Sequence, residues 1–226
     1  MSSVDRQKDS NSNSALILVD IQNDFLPPTG ALQVEDGREI LPVVYDLIEN
    51  HDWAVIAVTH PEGHVSFDTS HPGHKMFEVI DVPLPGSSDD KTISQTLWPE
   101  HCIVDTKGWE LEQGVQERLD RTTSPVRYVR KGTDLHVDAY SAFADNAYAQ
   151  FTSLSRTLFT SEITKLTIVG LALDYCVLWT CLDARKFGFE VDLVLAGSKA
   201  VGGKEGQKKA VDTLKEKGVV ILGGDE

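Results

Sequence analysis

Short apolar runs alternate along the chain with segments in which apolar residues recur every three to four positions. The runs are continuous rather than alternating, which is typical of strands buried on both faces of a sheet. Six such strands are predicted, over residues 15–20, 53–59, 126–130, 166–170, 191–196 and 219–222. Helices are predicted between them, over residues 38–50, 111–119, 151–162, 175–187 and 204–217. This order predicts βαβ units, and hence a three-layer α/β/α fold with a central, mostly parallel six-stranded sheet.

Two segments fall outside this alternation. Residues 1–14 are polar and lack the apolar stretch of a secretory signal, so a disordered polar tail is predicted there. Pro, Gly, Ser and Asp crowd residues 61–91, which predicts a long irregular insertion. No linker divides the remainder, and we expect residues 15–226 to form one domain.

Composition narrows the function classes. The chain has 226 residues and a net charge of −14, from 35 acidic residues against 21 Lys and Arg. This balance disfavours binding to nucleic acid or to an anionic membrane, and no apolar run is long enough to span a bilayer. The cysteines, Cys102, Cys176 and Cys181, form no paired framework, which favours a reducing compartment. We therefore expect a cytoplasmic location, with the nucleus left open, and the oligomeric state is not encoded in any pattern.

Chemically capable side chains follow four of the predicted strands. They are Asp20, His60, Lys131 and the segment 174–176. Ligands bind beyond the carboxyl ends of parallel strands, so these groups are expected to converge on one edge of the sheet. Cys176 also begins a predicted helix, where backbone N–H groups favour a thiolate and can stabilise an oxyanion. Taken singly, each has a structural alternative: a core cysteine, a turn-capping Asp and a surface Lys.

Histidines and aromatic residues add two further candidate features. Five of the seven histidines lie between residues 60 and 101, namely His60, His64, His71, His74 and His101. Imidazole is the commonest ligand of zinc-like ions, although loop histidines without a metal are the alternative. Aromatic side chains near the same strand ends suit a flat ring as substrate, although they are equally typical of a core; they are Phe25, Trp98, Tyr140 and Tyr175.

Five motifs occur in order along the chain. They are LVDIQNDFLP (18–27), HPEGHVSF (60–67), LWPEHC (97–102), RKGTDLHVDAYSAF (130–143) and GLALDYCVLWTCLDARKFGFEVDLVLAG (170–197). In this order they resemble those of the isochorismatase-like cysteine hydrolases, and within that family the nicotinamidases. The resemblance runs from about residue 15 to the C-terminus. It implies hydrolysis of nicotinamide to nicotinate and ammonia through a cysteine thioester, as a step of NAD salvage.

The resemblance also implies roles for individual residues. Cys176 corresponds to the nucleophile, Asp20 to the proton shuttle and Lys131 to the third member of the triad. The oxyanion hole corresponds to the backbone amides of Ala172 and Cys176, with a cis peptide just before Ala172.

A ring pocket and a metal site are implied in the same way. The pocket corresponds to Phe25, Tyr140 and Tyr175. A divalent metal, zinc or alternatively iron, corresponds to His60 and His101, with His64 on the same side. Such a metal would hold the pyridine nitrogen and withdraw electrons from the ring.

One departure from the family pattern concerns the metal. The family reads T-x-D-W-H-P at the end of the second strand, with the Asp a metal ligand and the Trp in the pocket wall. Here the sequence at residues 58–61 is VTHP, so no carboxylate stands two residues before His60. Loss of a carboxylate ligand predicts weaker zinc binding. The substitutes considered from the sequence are Asp68, His64, His71 and His74.

Two alternatives to a nicotinamidase therefore stay open. One is a family amidase that acts on another small amide without a metal. The histidine-containing motifs weigh against it, because a metal-free enzyme has no need of them. The other is an inactive or metal-impaired family member, for which the lost Asp argues and the intact triad argues against.

Overall fold

The structure is a computed structural model that describes residues 13–50, 54–57, 59–87 and 90–223. The predicted tail lies outside the described residues up to position 12, and Ser14 already belongs to the first strand. The prediction of a single domain over residues 15–226 stays a prediction. None of the described helices has the length and apolar composition to cross a bilayer.

The described residues form eight strands and five α-helices, besides short 3-10 and π-helical turns. The strands are β1 (Ser14–Val19), β2 (Ala54–Ala57), β3 (Val79–Pro83), β4 (Thr92–Thr96), β5 (Val126–Tyr128), β6 (Lys165–Leu171), β7 (Glu190–Lys199) and β8 (Val220–Leu222). The helices are α1 (Leu41–Asn50), α2 (Gln113–Arg121), α3 (Leu154–Thr160), α4 (Leu178–Lys186) and α5 (Gly203–Glu216). All six predicted strands and all five predicted helices are present, with shifted ends.

The central sheet has six strands in the order β5-β2-β1-β6-β7-β8, and every neighbouring pair is parallel. The strand β1 shows why its sequence is an unbroken apolar run. Ile17 and Val19 pack on one face against α3, α4 and α5, whereas Leu16 and Leu18 pack on the other against α1 and α2. Both faces of the strand are therefore covered, as the predicted three-layer α/β/α fold requires.

The prediction of irregular structure over residues 61–91 is wrong in part. An antiparallel hairpin forms there, because β3 lies inside this segment and β4 directly follows it. Each strand has one buried position, Val82 in β3 and Gln95 in β4, and its other positions are half-buried or exposed. Both strands are five residues long and neither contains a continuous apolar run, so a search for such runs misses them.

The order of the strands reverses between β1 and β6. The chain passes from β1 to β2 and β5 on one side, and β6 to β8 lie on the other side. Connections that leave such a switch point in opposite directions open a crevice at the carboxyl ends of the strands. Asp20 directly follows β1, and the turn that contains Cys176 follows β6, so both residues belong to this crevice.

Gly170 permits β1 and β6 to approach closely at the crevice. Its φ is 131°, and a Cβ added there would lie 1.9 Å from the carbonyl oxygen of Val19. We expect Gly170→Ala to lower the free energy of unfolding by about 1–3 kcal/mol or more, because the two strand ends must separate. Urea unfolding followed by circular dichroism measures this change.

The matched control is Gly188→Ala. Gly188 also has a positive φ, of 91°, but an added Cβ would meet nothing within 4 Å. Gly188→Ala should lower the free energy of unfolding by about 1–2 kcal/mol, from backbone strain alone. Equal losses in the two variants would show that the close approach to Val19 does not matter.

Candidate active site

Cys176 lies at the junction of β6 and α4. A π-helical turn, Leu173–Val177, connects the two elements, and the N–H groups of Tyr175 and Val177 both donate to the Ala172 carbonyl. The helical stretch thus begins two residues earlier than predicted. The peptide bond between Leu171 and Ala172 is cis, as the resemblance implies. Ala172 and Cys176 both line the cavity at the crevice, while their role as an oxyanion hole stays a prediction.

The three predicted triad members meet in space. Lys131 Nζ lies 3.2 Å from Asp20 Oδ2 and 3.4 Å from Cys176 Sγ. It also donates a hydrogen bond of 2.8 Å to the carbonyl of Ala139, so its position is held from three directions. Asp20 and Lys131 are only 0% and 2% exposed, and the surface-lysine alternative is therefore wrong.

Asp20 is placed by an uncommon backbone conformation. Its φ is 52°, in the left-handed region that residues other than Gly seldom adopt. Such strain costs of order 1–3 kcal/mol and persists only where the surroundings impose it, which is frequent at functional sites. Beyond Lys131 and the Cys176 thiol, neither carboxylate oxygen has a hydrogen-bond partner among the described residues. The carboxylate is thus free to exchange a proton with a group in the cavity.

Burial and mutual charge set the protonation of the three groups. Burial raises the pKa of Asp20 to about 6, although the Lys131 charge opposes this shift. Burial lowers the pKa of Lys131, but the Asp20 carboxylate and Cys176 outweigh it, and the net pKa is raised. Burial and the Asp20 charge both raise the pKa of the Cys176 thiol. At neutral pH the site therefore holds a thiol, a carboxylate and an ammonium group.

Aromatic rings line the cavity above the thiol. The predicted pocket residues Phe25, Tyr140 and Tyr175 all line it, together with Trp98. The Trp98 and Tyr175 ring centroids are 4.7 Å apart, and those of Tyr140 and Tyr175 are 5.4 Å apart, both edge-on. Such walls suit a small planar ring.

A larger groove lies elsewhere on the surface. It has a volume of about 750 Å³ and runs past Trp109 and Arg130. The residues that line it include neither Cys176 nor Asp20 nor Lys131. We place the chemistry in the smaller cavity, because reactive groups rather than volume define a site.

Three of the predicted metal-binding histidines are buried next to one another. The ring centroid of His60 is 4.3 Å from that of His64 and 5.0 Å from that of His101. The Nδ1 atoms of His60 and His101 are held by the carbonyl oxygens of Gly132, at 3.0 Å, and Pro99, at 2.7 Å. These bonds place the proton on Nδ1 and leave Nε2 as the nitrogen with a free lone pair.

The other sequence candidates for the metal site lie apart from this cluster. His71 Nε2 is 2.7 Å from the Val65 carbonyl, and His74 pairs with Glu78 at the surface. Neither they nor Asp68 belong to a group of potential ligands among the described residues.

One group of three described side chains is able to hold a metal ion. His60, His64 and Asp138 each offer one ligand atom, and these atoms lie within 4.8 Å of one another. His64 Nε2 is buried and forms no hydrogen bond of ordinary geometry with a described residue, although backbone groups of Val137 and Asp134 lie near the ring; a ligand at this atom would satisfy it. Burial lowers the pKa of both histidines, so they are neutral and able to coordinate. These residues fit a divalent metal.

Asp138 is the residue that sequence reasoning missed. It lies inside the RKGTDLHVDAYSAF motif but follows no predicted strand, so strand-end reasoning did not reach it. His101, predicted as a ligand, does not belong to the group, although its ring lies beside that of His60. Burial lowers the pKa of His101 to about 4, so its imidazole is neutral as well.

Comparison with known proteins gives consistent matches over nearly the whole chain. A model of the isochorismatase domain matches residues 14–226. The nicotinamidase of Escherichia coli (strain K12) is 37% identical over 195 residues, which cover 83% of either chain. The yeast nicotinamidase Pnc1p, bound to the inhibitor nicotinaldehyde, has a TM-score of 0.88 at 28% identity over 92% of this chain and 99% of that chain. The pyrazinamidase of Pyrococcus horikoshii in complex with zinc has a TM-score of 0.71 at 29% identity over 93% and 98%.

The buried ion pair predicts an effect on stability. We expect Lys131→Met to lower the free energy of unfolding by up to about 3–5 kcal/mol at pH 7, because the buried Asp20 must then stay charged without a partner or take up a proton. The double variant Lys131→Met/Asp20→Asn should recover part of this loss. A double-mutant cycle from urea unfolding measures the coupling, and additive losses would mean that the two side chains do not interact.

Proposed function

The chain belongs to the isochorismatase family, and we propose that it hydrolyses nicotinamide to nicotinate and ammonia, as a step of NAD salvage. The observation that carries this proposal is the thiol of Cys176, 3.4 Å from a buried Lys131 that is itself 3.2 Å from Asp20. The three groups line a cavity walled by aromatic rings, which suits the carboxamide of a planar heterocycle.

The first half of the reaction forms a thioester. Cys176 Sγ attacks the carboxamide carbon while Asp20 accepts the thiol proton, and Lys131 stabilises the charge that develops on sulfur. The carbonyl electron pair moves to oxygen, where the backbone N–H groups of Ala172 and Cys176 stabilise it. The C–N bond then breaks as Asp20 gives its proton to the departing nitrogen, which leaves as ammonia.

The second half releases the acid and restores the enzyme. Water attacks the thioester carbon, and Asp20 accepts one of its protons. The C–S bond breaks, Asp20 returns the proton to the Cys176 sulfur, and the carboxylic acid product ionises. One carboxyl group thus serves as base and as acid in both halves, which its pKa of about 6 suits near neutral pH.

The walls of the cavity orient the substrate. Tyr140, Tyr175 and Phe25 contact the faces and edges of the ring in this proposal, and Trp98 closes the side next to Tyr175. A divalent metal on the His60 side of the cavity, when bound, supplies a Lewis acid for the ring nitrogen. We propose zinc as the metal, because two imidazoles and a carboxylate are ligands that zinc accepts.

We also propose that the protein works in the cytoplasm. All three cysteines are free thiols, two of them buried, which suits a reducing compartment. A fluorescent fusion of the full chain, imaged in the source cell, tests this location.

Replacement of the nucleophile gives the direct test of function. We expect the wild-type protein, dialysed against zinc, to release ammonia from nicotinamide, and Cys176→Ala to reduce kcat by at least about 10⁴-fold without unfolding. A coupled ammonia assay measures the rate, with pyrazinamide and an aliphatic amide as comparison substrates.

The control for this variant is Cys181→Ala. Cys181 is buried in α4, and burial alone raises the pKa of its thiol, so no charged group of the site acts on it. Its loss should affect stability more than turnover. Folded wild-type protein that releases no ammonia from nicotinamide would overturn the proposed function. Release from the aliphatic amide alone would show that the protein is an amidase for a different substrate.

The dependence of the rate on pH tests the role of Asp20. Because burial raises its pKa to about 6, the carboxylate is protonated below that pH and cannot accept the thiol proton. We therefore expect kcat/KM to be level near pH 7.5 and to fall about tenfold per pH unit below pH 6. Circular dichroism at each pH controls for unfolding. A level profile down to pH 4.5 in folded protein would remove Asp20 as the proton acceptor.

A further inference from the structure

We propose that Asp138 is the carboxylate ligand of the metal site in this chain, acting with His60 and His64. The proposal deepens the function proposed above and rests on it for the role of the metal. It supplies a replacement for the family's metal-binding Asp, which is absent here because no carboxylate stands two residues before His60. In this chain the carboxylate comes instead from the segment between β5 and α3.

Geometry is the first support. Ligand atoms of Asp138, His60 and His64 lie within 4.8 Å of one another, close enough to converge on a single ion. Asp138 and His60 also line the cavity that contains Cys176, so an ion between them would face the substrate. All three side chains are buried, at 3%, 3% and 0% exposure for Asp138, His60 and His64.

The hydrogen bonds at His64 are the second support. Its Nδ1 lies 2.7 Å from Ser66 Oγ, while its Nε2 is buried and forms no hydrogen bond of ordinary geometry with a described residue, although the Val137 and Asp134 backbone lies near the ring. Ligation at Nε2 would satisfy that atom and place the proton on Nδ1, from where it donates to Ser66. This is the usual arrangement of a histidine ligand whose second nitrogen is held by a neighbouring group.

Charge balance is the third support. The buried Lys131 pairs with Asp20 at 3.2 Å, and its electrostatic interaction with Asp138 is weaker than the one with Asp20. Within the described part of the chain, the Asp138 carboxylate accepts hydrogen bonds from two uncharged donors, the Ala139 N–H at 2.7 Å and Gln95 Nε2 at 3.0 Å. A carboxylate this deeply buried is costly unless a cation is near, and a divalent ion at the histidines would supply one.

The same two hydrogen bonds hold Asp138 in position for coordination. Ala139 N–H donates to Oδ1 and Gln95 Nε2 donates to Oδ2, so one lone pair on each oxygen is used and another is left. Gln95 is the single buried residue of β4, and its amide also donates to the Thr96 carbonyl. The hairpin thus orients the carboxylate, as the groups around a metal ligand commonly do.

Zinc affinity of the full-length protein, stripped with a chelator, tests the proposal. Titration with zinc in competition with a chromophoric chelator gives the Kd, and cobalt gives a visible absorption spectrum that reports the ligand set. We expect one ion per wild-type chain. Asp138→Asn should raise the Kd for zinc by at least about 100-fold and change the cobalt spectrum, because an amide oxygen is a weak ligand.

Three further variants sharpen the result. Asp68→Asn removes the carboxylate that the sequence offered as a substitute ligand, and its Kd should stay within about threefold of wild type. His64→Ala should weaken zinc binding as strongly as Asp138→Asn, whereas His101→Ala should weaken it less. Gln95→Leu should raise the Kd by about 10-fold through loss of the orienting hydrogen bond. It provides the test if Asp138→Asn fails to fold.

The outcomes separate this proposal from the proposed function. An unchanged Kd in folded Asp138→Asn, or a loss in Asp68→Asn of the size expected for Asp138→Asn, would overturn the assignment of Asp138. Ammonia release by wild-type protein that binds no zinc would overturn the metal site and leave the function intact. Zinc binding that depends on Asp138, in protein that hydrolyses no amide, would support the site and remove the function.

Discussion

A carboxylate and an ammonium group, both withdrawn from water and 3.2 Å apart, determine what the thiol of Cys176 is able to do. A buried ion pair contributes little net stability, because desolvation offsets most of the Coulomb attraction. Its main effect here is on the protonation states of the three groups. The pair keeps Lys131 charged and opposes the rise that burial causes in the pKa of Asp20, which is left at about 6, while the thiol beside it stays protonated. The three groups come from the ends of β1, β5 and β6, so the parallel sheet order is what holds them together.

The sheet and its helices were predictable because burial on two faces leaves a strong signal. The run ALILV in β1 has no polar residue, since helices cover both sides of that strand. The β3–β4 hairpin was not predictable in this way. Its strands have one buried position each, Val82 and Gln95, and the second of these is polar. The surroundings of Gln95, rather than its own residue type, explain why it is buried, and a single sequence does not contain that information.

The residues of the site likewise divide into those that the sequence predicted and one that it did not. Asp20, Lys131 and Cys176 follow strands, and strand ends meet at one edge of a parallel sheet, so their convergence followed from the fold class. The clustering of His60, His64 and His101 followed from the family resemblance and from the density of histidines. Asp138 had neither signal, because it does not directly follow a strand and the substitutes considered lay between residues 64 and 74. Only the folded chain brings it within 4.8 Å of His60 and His64.

A metal site constrains charge and distance, not position in the sequence. Two neutral imidazoles leave the charge of a divalent ion uncompensated. Because Asp20 is paired with Lys131, a second buried carboxylate is needed to balance the charge of the ion. Among the described residues, Asp138 lies beside the histidines. Its hydrogen bond to Gln95 ties the hairpin to that requirement. The β3–β4 hairpin, which the sequence pattern did not reveal, therefore orients Asp138, the carboxylate that replaces the one absent before His60.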